Sequence, residues 1–64
     1  MQVYIDLGNK QLIFESSQNI RIPNIGEDIV YNKLCYNVIH ITTYYSNKDS
    51  YAVYVRTKLI NDNL

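Results

Sequence analysis

The sequence predicts an all-β fold, five antiparallel strands curled into a small barrel, and three observations carry that expectation. Ile and Val dominate the apolar residues, beside seven Tyr and one Phe, and β-branched and aromatic side chains fit a pleated, half-buried surface. Good helix formers are scarce, with one Ala, one Met and two Glu in 64 residues. Apolar and polar residues alternate in short runs between turn-forming residues, which is the period-two pattern of strands.

The first run, residues 2–7, sets Val3, Ile5 and Leu7 on one face and Gln2, Tyr4 and Asp6 on the other. Gly8-Asn9 follows, and glycine at the first central position supplies the positive φ of a type II′ hairpin turn. Closing the chain there pairs Ile5 with Leu12 and Val3 with Phe14 on one face. Gln2 then meets Glu15, and Asp6 meets Gln11, on the other. A slip of one residue would destroy this agreement, so the first hairpin is expected over about 2–7 and 11–16. The polar stretch 16–19, SSQN, reads as a loop. Pro23 lacks a backbone donor, so residues 20–22 are expected to form at most a short or edge strand.

A second hairpin turns at Asn32-Lys33, with Ile29 facing Tyr36 and Tyr31 facing Leu34. The segment from Leu34 to Tyr45 then changes phase. Leu34, Tyr36 and Val38 occupy even positions, whereas Ile39, Ile41 and Thr43 occupy odd ones. A β-bulge near Val38-Ile39 resolves the conflict, because one extra residue resets the alternation. Residues 46–50, SNKDS, read as a polar loop. The chain returns as SYAVYVRTKL, so that Tyr51, Val53 and Val55 oppose Tyr45, Thr43 and Ile41. NDNL is expected to fray.

One kinked long strand serving two halves of a barrel suits an SH3-like architecture over a single domain, residues 1–64; an OB-like barrel usually carries more chain and a helix. The cadence from Ile22 to Val55 points the same way. It runs Ile22-Pro23, Gly26-Glu27, Ile29, then Tyr36, Val38 and Ile41, a tyrosine pair, a polar loop, and Val53-Tyr54-Val55. It resembles short SH3-like barrel proteins that recur as uncharacterised reading frames in bacteria, phages and mobile elements. The resemblance covers about half the chain and brings no catalytic residues. It implies a barrel fold and a mobile-element origin. Small proteins of that origin often act by binding a larger protein, inhibitors of host defence systems among them. The abundance of Ile, Asn, Tyr and Lys, with their A/T-rich codons, agrees with such a source.

Composition narrows the function. Formal net charge is zero and charged residues make up 19% of the chain. There is no basic excess of the kind a strong nucleic-acid binder carries, and no acidic excess to mimic phosphates. No apolar run approaches the roughly 20 residues of a membrane span, and the first residues do not read as a signal peptide. Cys35 is the only cysteine, whereas secreted domains this small usually hold several in disulfides. A cytoplasmic site, in a bacterial cell or a phage-infected host, is the expectation.

No catalytic or metal-binding pattern stands in the sequence, and no cofactor is expected. Cys35 and His40 are five residues apart, more than about 15 Å along extended chain, so they cannot act as a nucleophile and base. The plain readings are a small strand residue and an exposed strand histidine. The carboxylates are scattered, and Glu27-Asp28 reads as solvated charge. Gly8 and Gly26 are isolated, which excludes a glycine-rich phosphate loop.

What remains is a surface. If Ile41, Val53 and Val55 point inward, then His40, Thr42, Tyr44, Tyr54 and Arg56 point outward together. In that register Thr42 lies opposite Tyr54, and His40 opposite Arg56. Tyr and Arg are the residue types most enriched at interface hot spots. These five are the expected partner-binding residues of a non-enzymatic protein-binding module. The alternative is that they are cross-strand pairs stabilising a thin barrel. Two other classes stay open. Tyr faces stack on the bases of single-stranded nucleic acid, although six Lys and Arg are few for that task. An open edge or a tyrosine-rich face also suits a homodimer.

Overall fold

The structure is a computed structural model that describes residues 2–15 and 21–61. It is all-β among those residues, with strands β1 (Gln2–Asp6), β2 (Gln11–Glu15), β3 (Asp28–Tyr31), β4 (Leu34–Asn47) and β5 (Ser50–Asn61). They form one curled sheet in the order β2-β1-β5-β4-β3.

Both expected hairpins form in the expected registers. In the first, Val3 faces Phe14, Ile5 faces Leu12 and Gln2 faces Glu15. Gly8 has φ 95°, its N–H donates to the Asp6 carboxylate at 2.8 Å, and the Leu7 N–H donates to the Lys10 carbonyl at 2.9 Å. In the second, Ile29 faces Tyr36 and Tyr31 faces Leu34. Both turn residues take positive φ, 52° at Asn32 and 68° at Lys33. That is the sign pattern of a type I′ turn, and Lys33 is held where glycine would sit more easily.

The bulge also lies where the phase change placed it. Val38 pairs with Thr57 and His40 with Arg56, which leaves Ile39 as the extra residue. Ile39 is therefore 45% exposed and does not join the inner face, whereas Ile41 packs against the core. The core lies on the concave side. Val3, Ile5 and Leu7 of the first hairpin meet Tyr36 and Val38 of β4 and Val53 and Val55 of β5.

Three expectations need correction. The sheet is not wholly antiparallel: β1 runs parallel to β5, with Val3 beside Val53 and Ile5 beside Val55. Alternating faces fit a parallel neighbour as well as an antiparallel one, so period two could not decide direction. Residues 21–22 form no strand, within the limit that Pro23 sets; the chain there leads into a tight loop, and residue 20 lies outside the described residues. The polar loop at 46–50 shrinks to the turn at Lys48-Asp49, because β4 continues to Asn47 and β5 starts at Ser50. The Asn47 side chain accepts the Asp49 N–H at 2.8 Å and closes that turn. At the other end, β5 continues through Asn61, which pairs with Cys35. The expected loop 16–19 and the last three residues lie outside the described residues.

The sheet curls into a half-barrel. Its outer strands, β2 and β3, share no ladder. Side chains bring them together: Leu12 and Phe14 of β2 and Ile29 and Tyr31 of β3 pack on the same core. The Lys10 ammonium lies 5.4 Å above the Tyr31 ring, a cation–π contact across the gap.

The loop before β3 is fixed by Glu27. Gly26, at φ 91°, sits third in a turn closed by the Glu27 N–H on the Asn24 carbonyl at 3.1 Å. The Glu27 carboxylate accepts the Asn24 N–H at 2.9 Å and both guanidinium arms of Arg21. Backbone bonds between Val38 and Gly26 and Glu27 then dock the loop on β4. The Arg21 hydrogen bonds, followed by the Asn24 N–H, hold the Glu27 carboxyl down to about 2 from 4.5. A depressed carboxyl contributes stability that is full above its unfolded value and disappears as pH falls through its folded one. Glu27→Gln should therefore flatten the fall in stability between about pH 4.5 and about pH 2, read from urea midpoints across that range. An identical acid limb in the variant would show that this exposed pair contributes nothing.

Candidate functional site

The convex side of the sheet carries the polar members of each alternation, and strand registers order them into rows. One row crosses the sheet as Ile13, Tyr4, Tyr54 and Thr42. Beside it run Gln11, Asp6, Arg56 and His40. On its other side run Glu15, Gln2, Ala52 and Tyr44. Thr42 lies opposite Tyr54 and His40 opposite Arg56, as the sequence predicted.

The five expected residues lie together. His40, Thr42, Tyr44, Tyr54 and Arg56 line one shallow recess of about 140 Å³, with Asp6 and Gln11 at its margin. Tyr44 is 59% exposed and Tyr54 39%. Their rings meet edge to face at 5.0 Å and 84°, a favoured aromatic geometry. A second open recess, about 590 Å³, lies between Gln2, Tyr44, Tyr51 and Tyr54.

Tyr4 is the member that the sequence reading missed. Its ring stacks on Tyr54 at 4.5 Å and 11°, and its hydroxyl donates to the Gln2 side-chain carbonyl. The Gln2 amide in turn donates to Glu15 at 3.0 Å. Tyr4 was visible as an outward residue of β1, but its place beside Tyr54 depends on the parallel β1–β5 pairing. The result is an aromatic run, Tyr4–Tyr54–Tyr44, across three strands, with Arg56 one row away.

Cys35 is buried and His40 exposed, in keeping with the plain readings of each. Glu27 is joined to Arg21, and Asp28 accepts a hydrogen bond from Asn37 at 2.9 Å, so the adjacent carboxylates have different partners. Among the described residues, no group of three or more His, Cys, Asp and Glu could hold a metal ion. No helix there is long and apolar enough to cross a membrane. The chain matches no family model, and no curated protein or solved structure matches it either.

Proposed function

We propose that this chain is a non-enzymatic protein-binding module that docks its partner on the convex face of β1, β5 and β4. The observation that carries the reading is the aromatic run Tyr4–Tyr54–Tyr44 beside Arg56, rigid through ring contacts yet open to solvent. Packed tyrosines lose little conformational freedom on binding and offer large contact area with a polar tip. Cross-strand packing accounts for the contact between the rings, but it leaves more than half of Tyr44 uncovered. We read the half-barrel as SH3-like, a reading supported by the bulged β4, which serves both halves of the core. The parallel β1–β5 pair is its departure from the expected plan. The sequence resemblance makes a host protein, such as a component of a bacterial defence system, the first class of partner to test.

Affinity capture of the tagged protein from host lysate, with and without nuclease, tests the proposal. A stoichiometric protein partner that survives nuclease is expected. The combined variant Tyr44→Ala, Tyr54→Ala, Arg56→Ala should lose it while keeping the wild-type circular dichroism spectrum. Undiminished capture by a folded triple variant excludes this face, and a signal that disappears with nuclease moves the function to nucleic acid.

A further inference from the structure

Among the described residues β4 is the longest strand, and for much of its length it has a neighbour on one side only. β3 pairs with residues 34–37, and the loop before β3 caps Val38. From His40 to Tyr45 the pairing with β5 is regular and unbroken. Among the described residues, no strand lies on the opposite side of that stretch.

The direction of the free backbone groups follows from Val38. Its N–H donates to the Glu27 carbonyl at 2.9 Å, and its carbonyl accepts the Gly26 N–H at 2.8 Å. Both groups thus point away from β5, and the facing residue Thr57 makes a non-hydrogen-bonded pair with Val38. Alternation along β5 then turns Arg56 and Tyr54 toward β4, and Val55 and Val53 toward β1. Their partners follow: Ile41, Thr43 and Tyr45 direct N–H and C=O to the open edge.

Natural edges of this kind are blunted with Lys, Pro, a bulge or a cover. Here no Asp, Glu, Lys, Arg or Pro occurs from Leu34 through Asn47, and the three irregularities of the β4–β5 ladder, between Cys35 and Tyr36, at Ile39 and at Ser46, fall outside the free stretch. We propose that this edge pairs with the same edge of a second copy, antiparallel, with Thr43 on the two-fold axis.

The register is dictated by the free groups. Only with Thr43 facing Thr43 of the second copy do all three open residues find partners, Ile41 then facing Tyr45 of that copy and the reverse. Each facing pair exchanges both of its N–H···O bonds. On the convex side the same register sets Thr42 against Tyr44 of the second copy. Every aromatic at the seam thus meets a β-branched residue, a favourable cross-strand combination. Tyr45, at 68%, is the most exposed aromatic among the described residues, and this seam covers it, whereas Tyr44 stands at the convex rim of the seam, where the partner-binding face of each copy begins. The absence of formal charge lets two identical edges meet without repulsion, which is what favours a second copy over a charged peptide.

Sedimentation equilibrium from micromolar to millimolar protein tests the proposal. The mass should rise from 7.5 kDa toward twice that value. Thr43→Pro removes a donor on the open side only, and should weaken the dimer about tenfold or more while leaving the β4–β5 ladder intact. If that variant does not fold, Tyr45→Lys, at an exposed position, provides the same test by placing a charge beside Ile41 of the second copy. Hydrogen exchange should show protection of the Thr43 amide rising with concentration, and of the Thr42 amide constant. The double variant Tyr54→Ala, Arg56→Ala should associate normally, which separates this edge from the partner-binding face. A monomer at millimolar concentration overturns the proposal. So does a folded edge variant of wild-type affinity, or a Thr43 amide protected in the monomer, which would mean that the chain covers its own edge.

Discussion

Replacing Tyr36 with Ala should cost about 3–5 kcal/mol of folding stability, the usual range for deleting a buried aromatic ring. A typical 0.05–0.15 kcal/mol per residue gives a chain of this length roughly 3–10 kcal/mol in total. The substitution therefore removes a large share of the stability, or all of it. Tyr36 is 3% exposed and sits on the concave face of β4, between Ile29 of β3 and Leu59 of β5. Leu59 is itself half exposed, so the ring closes a thin end of the core. Tyr36→Phe keeps the ring and should change stability by no more than about 1 kcal/mol, the usual net worth of one hydrogen bond. Urea unfolding followed by far-UV circular dichroism measures both. A loss below about 1 kcal/mol for Tyr36→Ala would mean that this ring does not anchor the core.

Tyr4→Ala should weaken capture of the partner about tenfold or more, on the scale of Tyr54→Ala and of an interface hot spot. The two rings stack, so removing either one changes the surface that the other presents. A double-mutant cycle in the free protein should find a coupling of about 0.5–1.5 kcal/mol between them, the range for aromatic pairs. Ile13→Ala, one strand further out on β2 in the same row, gives the boundary of the face. Should Tyr54→Ala abolish capture and Tyr4→Ala leave it unchanged, the binding surface would be confined to β4 and β5.

The two hairpins, the bulge and the outward set His40, Thr42, Tyr44, Tyr54 and Arg56 were legible in the sequence because each follows from local rules. A two-residue turn fixes the register of the strands that it joins, and side-chain alternation then assigns faces. The change of parity between Val38 and Ile41 could be removed only by an extra residue, so the bulge was readable too, although not that Ile39 itself would be the residue turned outward.

Tertiary structure alone decided the rest. Val3 and Ile5 of β1 lie some fifty residues from Val53 and Val55 of β5, and no turn connects them to set direction or register. Because faces alternate identically in parallel and antiparallel pairs, the sequence left that pairing open. With it stayed hidden the place of Tyr4 beside Tyr54, and so half of the aromatic run. The β4 edge that no other described strand pairs with was equally invisible, since whether a strand has one neighbour or two depends on where β3 stops. That stop is set by the loop that Arg21, Asn24 and Glu27 hold against Val38, through contacts that no period in the sequence records.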